Sequence, residues 1–181
     1  MGKDFDIEIK KYLTNGEKLS KNYNLDVVPN TDGIYIVECP DGVVPKFSDK
    51  TRAIKTRVKK GKVESTEKYT AKELQIKYEN GNKKILYIGS APLNEDGKRG
   101  LKERIGELID HGYNMGKNHY GGKELWQIKN IENMNLYWCS VENARETEHD
   151  LLILHLKKYP FFNKKNKIKK SFSYPLANSK N

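Results

Sequence analysis

Two short triplets, Gly33-Ile34-Tyr35 and Tyr87-Ile88-Gly89, are the first residues in this chain whose types invite a chemical reading. Either triplet alone is a strand end carrying a half-buried aromatic whose hydroxyl reaches the surface. An arginine, Arg104, and a glutamate, Glu148, follow in order, each within a segment of helical periodicity. Together these types suit the hydrolysis of a phosphodiester. That reaction needs a positioned water, a base, a cation facing the transition-state phosphate, and a metal or acid at the leaving oxygen. Glu148 offers the single hard carboxylate that Mg²⁺ takes while keeping most of its waters. Arg104 offers a permanent guanidinium whose planar fork matches phosphate better than an ammonium does. Tyr35 and Tyr87, presented by adjacent strands, can orient or deprotonate the water.

The elements that must hold these groups are legible from periodicity and turn chemistry. Residues 31–38 (TDGIYIVE) and 84–89 (KILYIG) are turn-led β-branched and aromatic runs, which predict two strands. Residues 135–141 (NLYWCSV) predict a third. Between the first two, Thr70 with Glu73 three residues on forms a capping box that opens a short helix over 68–78. Leu101, Ile105, Leu108 and Ile109 share one stripe of a helix over 99–111. A second long helix over 144–159 ends at Pro160. Within it Glu148 lies on the face of Leu151, Leu152 and His155, whereas Glu146 and Asp150 share another. The order strand, basic insertion, strand, helix, strand, helix predicts one α+β domain on a small sheet.

Composition narrows the partner. The 181 residues carry 34 Lys+Arg against 24 Asp+Glu, a net charge of +10. That excess on one small domain fits a polyanion, most often nucleic acid. Its distribution is uneven. Residues 46–62 hold eight bases and one acid, and 157–170 hold seven lysines and no acid. Arg52, Lys55, Arg57 and Lys59 in the first block, and Lys164 and Lys165 in the second, are the candidate phosphate contacts. An extended ribbon turning at Lys60-Gly61-Lys62 would lay the first block along a duplex. Cys39 and Cys139 stand in no CxxC and near no finger-spaced histidine, which excludes a zinc module and a disulfide scaffold. With no apolar run long enough to span a bilayer and no signal-peptide pattern, the expectation is a soluble cytoplasmic protein.

Taken in order, Gly33-Ile34-Tyr35, Tyr87-Ile88-Gly89, Leu101-x-x-Arg104, Ala144-x-x-x-Glu148 and Pro160-x-x-Asn163 closely resemble the GIY-YIG nuclease family over residues 31–165. That family includes homing endonucleases, the incision subunit of nucleotide-excision repair and some restriction enzymes. The resemblance implies an antiparallel sheet of about three core strands flanked by helices. The nuclease domain would fill 1–181, with its core at 31–165, a basic insertion at 39–84, and terminal extensions at 1–30 and 166–181. It further implies a metal-dependent (Mg²⁺ or Mn²⁺) DNA endonuclease acting on double-stranded DNA. Tyr35 would be the general base or water positioner, assisted by Tyr87. Glu148 would be the metal ligand, and Asn163 would hold the site by hydrogen bonds. Many members place a His or Tyr one turn after the arginine, where this chain has Leu108. His111, two turns on, and His119 are the candidates for that function. With no room for an appended DNA-binding domain, the expectation is a stand-alone restriction-type enzyme, dimeric at least on DNA. A structure-selective repair nuclease and an inactive nucleic-acid-binding protein of the same fold are the alternatives.

Overall fold

A computed structural model describes residues 4–53, 58–59, 62–63, 69–115, 119, 121–160 and 174–178, with backbone alone at 58–59 and 62–63. In chain order the elements are α1 (Phe5–Lys10), β1 (Asn15–Lys18), β2 (Gly33–Glu38), β3 (Val58–Lys59), β4 (Lys62–Val63), α2 (Ala71–Asn80), β5 (Ile85–Ala91), α3 (Leu101–Gly112), β6 (Asn135–Ser140) and α4 (Ala144–Lys158). Short 3₁₀ turns lie at Leu25–Val27, Lys123–Gln127 and Ile131–Asn133.

The three β-branched and aromatic runs form strands β2, β5 and β6, and each of the three helices read from the sequence is present. Strand β2 is central, antiparallel to β5 on one side and to β6 on the other. The sheet has four strands, in the order β1-β6-β2-β5, where the sequence reading expected about three. The fourth, β1, reads Asn-Gly-Glu-Lys and is exposed throughout, so it carries no alternation to announce it. Backbone pairing with β6 holds it, and the Leu19 amide, just beyond its end, donates to the Met134 carbonyl at 2.9 Å. The fold is α+β, on a small open antiparallel sheet.

Strand alternation splits the core between two faces. On one face Tyr35, Val37, Tyr87 and Ala91 pack with Leu101, Ile105 and Leu108 of α3. On the other, Ile34, Ile36 and Ile88 pack with Leu151 of α4 and with Phe5 and Ile9 of α1. A β-bulge lies next to Tyr87: Val37 opposes Tyr87 while Glu38 opposes Ile85, leaving Leu86 as the extra residue. Leu86 and Tyr87 therefore both join the α3-side core.

Residues 1–30, expected as an extension, supply both β1 and α1. Helix α1 is capped by the Asp4 carboxylate and tied to α4, where Lys158 Nζ reaches Asp4 at 2.8 Å and Asp6 at 2.7 Å. The Thr70–Glu73 capping box opens α2 as read. In the insertion, 43–53 packs along the 123–129 segment, with the Ser48 amide on Gln127 O and the Arg52 amide on Trp126 O. Strands β3 and β4 pair antiparallel on either side of the expected turn. At the other end of the chain, Ala177 N donates to Leu86 O at 2.8 Å along the outer edge of β5. Among the described residues no helix is long and apolar enough to cross a membrane.

Candidate functional site

The sheet order makes β5 an edge strand, and the nominated residues gather around it from both faces. Tyr87 projects from β5 toward α3. Ser90, opposite Ile34 in register, projects toward α4. Glu148, on the first half of α4, is half-buried and accepts a short hydrogen bond from the Ser90 hydroxyl on Oε2. Its neighbours Glu146 and Asp150 are exposed, so the helix phase singles out Glu148 of the three acids. Oε1 accepts no hydrogen bond from the described residues. A cleft of about 270 Å³ is lined by Glu148, Tyr87, Gly121, Gly122 and Asn178, among others.

Arg104 enters from the α3 side, 21% exposed, with Nη1 held by the Glu107 carboxylate one turn on. Its charge acts on the same groups. Burial raises Glu148 above the usual carboxylate range, and the Ser90 hydroxyl and the Arg104 guanidinium partly offset that rise. Burial likewise raises Tyr35, against the pull of Arg104, and lifts Tyr87 well above its ordinary value. Both phenols are therefore protonated at neutral pH.

The tyrosines sit at different depths. Tyr35 is 0% exposed, and its hydroxyl lies 3.3 Å from His119 Nε2. Tyr87 is 5% exposed and lines the cleft, its ring centroid 5.8 Å from that of Tyr35. Glycines let the layers close. A Cβ on Gly89 would stand 2.4 Å from Tyr35 Cζ, because the Tyr35 ring lies across its cross-strand partner. A Cβ on Gly121 would stand 2.6 Å from the Tyr87 hydroxyl.

The histidine beside the tyrosines is His119, fully buried in the glycine-rich loop before the Lys123–Gln127 turn. His111 is buried in the last turn of α3, seven residues and roughly 10 Å of helix axis beyond Arg104. Leu108, in the place where many family members carry His or Tyr, is a core residue. Arg52, a candidate phosphate contact, is tied to its own fold. Its guanidinium donates to Lys129 O at 2.9 Å, lies 3.7 Å from Glu132, and stands over the Tyr113 ring. Asn163, Lys55, Arg57, Lys164, Lys165 and the Lys59 side chain lie outside the described residues. Ser90 and Glu107 are the site residues that sequence reasoning passed over. The signal for Ser90 was its place directly after the Tyr87-Ile88-Gly89 triplet; for Glu107 it was the i,i+3 spacing from Arg104.

The donor set bears on which cation fits. Among the described residues no group of three or more His, Cys, Asp or Glu side chains is arranged to cage a metal. One carboxylate with an uncommitted oxygen on a cleft suits an ion that keeps most of its water shell, which is the habit of Mg²⁺. Comparison with protein-family models, curated proteins and solved structures finds no match to this chain.

Proposed function

We propose that the chain is a metal-dependent DNA endonuclease of the GIY-YIG type, a stand-alone restriction-like enzyme. The observation that carries this reading is the meeting of Arg104, Ser90, Glu148 and the Tyr35–Tyr87 pair around one edge strand. These groups come from four elements spread over more than a hundred residues, and no packing requirement brings an arginine and a half-buried glutamate there. The antiparallel trio β6-β2-β5 between helical layers also supports it.

In this reading Arg104 faces the phosphate as it gains charge, and Glu107 fixes the rotamer of the guanidinium. Glu148 would hold a hydrated Mg²⁺ or Mn²⁺, which supplies Lewis acidity at the phosphate. Tyr87, the phenol on the cleft, orients the attacking water. Tyr35 lies behind it and buttresses it, its hydroxyl hydrogen-bonded to the His119 ring one step further in. Protonated phenols act here as positioners rather than as standing bases.

Purified protein incubated with plasmid DNA and Mg²⁺ tests the reading. Discrete fragments support a restriction-type enzyme, and nicks confined to branched or damaged sites favour a repair role. An absence of product under all metals leaves only nucleic-acid binding. Glu148→Gln should abolish cleavage without weakening DNA binding, since removing a negative charge beside phosphate does not reduce electrostatic affinity. Wild-type cutting by that variant overturns the assignment.

A further inference from the structure

A second concavity, of about 240 Å³, is lined by Ser90, which bonds Glu148 of the cleft, and by Pro92, Asn94, Arg99, Arg104 and Arg145. Three of its six lining residues are arginines, from the loop before α3, from α3 itself and from the first turn of α4. Glu107 bridges Arg99 Nη2, at 3.2 Å, and Arg104 Nη1. Glu103 accepts the Arg99 amide and Glu148 acts on Arg104, while the six lining residues themselves include three cations and no acid. Solvated arginines ordinarily spread apart, and here a carboxylate draws two of them to one wall.

Arg99 shows a second sign of being placed. Its φ of +67° lies in the left-handed region that β-carbon sterics disfavour. The conformation is held by its amide donating to Glu103 Oε2 at 2.7 Å, and it carries the side chain toward Glu107. Strain of this kind persists where surroundings overdetermine it, commonly at binding sites.

We infer that Arg99 and Arg145 bind a non-scissile phosphate of the same strand, next to the one that Arg104 faces. The inference rests on the nuclease reading and adds to it that the substrate is a polynucleotide, gripped at two successive phosphates. Ser90, which lines this concavity and donates to the Glu148 carboxylate of the neighbouring cleft, links the two positions. Arginine suits the task because its fork engages phosphate oxygens in pairs.

The test measures binding without cleavage. A fluorescein-labelled duplex is titrated with wild-type protein and with the Arg99→Gln/Arg145→Gln variant, without divalent metal, from about 50 to 200 mM salt. Loss of two phosphate contacts should make the log–log slope shallower by about 1.8, at about 0.9 per contact. The Arg99→Lys/Arg145→Lys variant should restore most of the slope, because it returns the charges. Inorganic pyrophosphate should compete with the duplex on wild type and lose that effect on the glutamine variant. An unchanged slope in the glutamine variant overturns the pocket, whether or not the enzyme cuts. Pyrophosphate or free nucleotide binding well while the duplex does not overturns the polynucleotide assignment. If wild type never cuts but the slope still falls as stated, the pocket stands and the nuclease reading fails.

Discussion

Gly89→Ala is the sharpest perturbation of the arrangement around β5. The added Cβ would meet Tyr35 at 2.4 Å from Cζ, 2.7 Å from the hydroxyl and 2.8 Å from Cε2, well inside any tolerated contact. The Tyr35 ring has no space to retreat into. It is fully buried, with the Tyr87 ring centroid at 5.8 Å and the His119 ring at 6.3 Å. Overpacking of this kind costs about 1–3 kcal/mol, which for a chain of this size lowers Tm by about 2–12 °C. Gly106→Ala is the internal control. Its Cβ would meet only Leu25 Cδ1, at 3.4 Å, and removing a glycine from inside α3 should stabilise by about 0.5–1 kcal/mol. Urea unfolding of both variants, together with Gly89→Ala placed on a Tyr35→Leu background, completes the test. With the ring gone, the alanine should cost no more than about 0.5 kcal/mol. Full additivity in that cycle, or an unshifted midpoint for Gly89→Ala alone, would refute the argument that Tyr35 needs a glycine opposite it.

Glu148→Gln should raise stability at neutral and alkaline pH. Burial lifts the carboxyl above its ordinary value of 4.5, so the folded state favours the protonated form and loses stability as pH rises through the folded pKa. The gain should shrink toward zero as melts are repeated down toward that value, and a gain independent of pH would contradict it. Arg104→Lys keeps the charge and loses the fork, and plasmid cleavage should slow on the order of 10²-fold. Tyr87→Phe should slow cleavage more than Tyr35→Phe does, since Tyr87 lines the cleft and Tyr35 lies behind it; the reverse order in a single-turnover assay would exchange their roles. Asn178→Ala removes both bonds that this side chain makes to the Ile88 peptide, N–H at 2.9 Å and C=O at 2.7 Å. Leaving those buried groups unmade costs about 1–3 kcal/mol each, and hydrogen exchange at the Ile88 amide should accelerate. Unchanged protection there would mean that the edge of β5 is sealed by something else.

Much of the scaffold was legible because its signals are local. Three strands announced themselves as β-branched runs after turns, and the Thr70–Glu73 box fixed the start of α2. The phase of α4 chose Glu148 from among three acids, since half-burial follows directly from the angle to Leu151. What stayed hidden depends on distant chain. Strand β1 is specified by its partner β6 rather than by its own side chains. Adjacent strands were expected to present Tyr35 and Tyr87 at one site, but nothing local gave their depth, where His119, Gly121 and Gly122 pack against the two rings. The position of His119 beside Tyr35 was hidden for the same reason. Arg52 sits in a run of bases read as phosphate contacts, yet Tyr113 from the end of α3 and Lys129 and Glu132, some eighty residues away, converge on it.

The choice of β5 as the site's strand follows from topology. A central strand such as β2 offers its two faces to two separate layers, and a group on α3 meets a group on α4 only through the sheet. At an edge the layers can reach around. Glu148 comes over from the α4 side to Ser90, Arg104 comes from the α3 side, and each registers in the other's electrostatics. An open edge also invites pairing with a foreign strand. The first half of β5 avoids this because Ala177 and Asn178 occupy its outer hydrogen-bonding positions at Leu86 and Ile88. Asn178 does so with a side-chain amide that matches a peptide, and Lys77, 1% exposed, donates to its carbonyl at 3.2 Å. Among the described residues this seal extends to Ile88, and Ser90, two residues further on, lines the arginine pocket. The described residues thus close the edge over its first half, and it is over the second half that the proposed phosphate would approach.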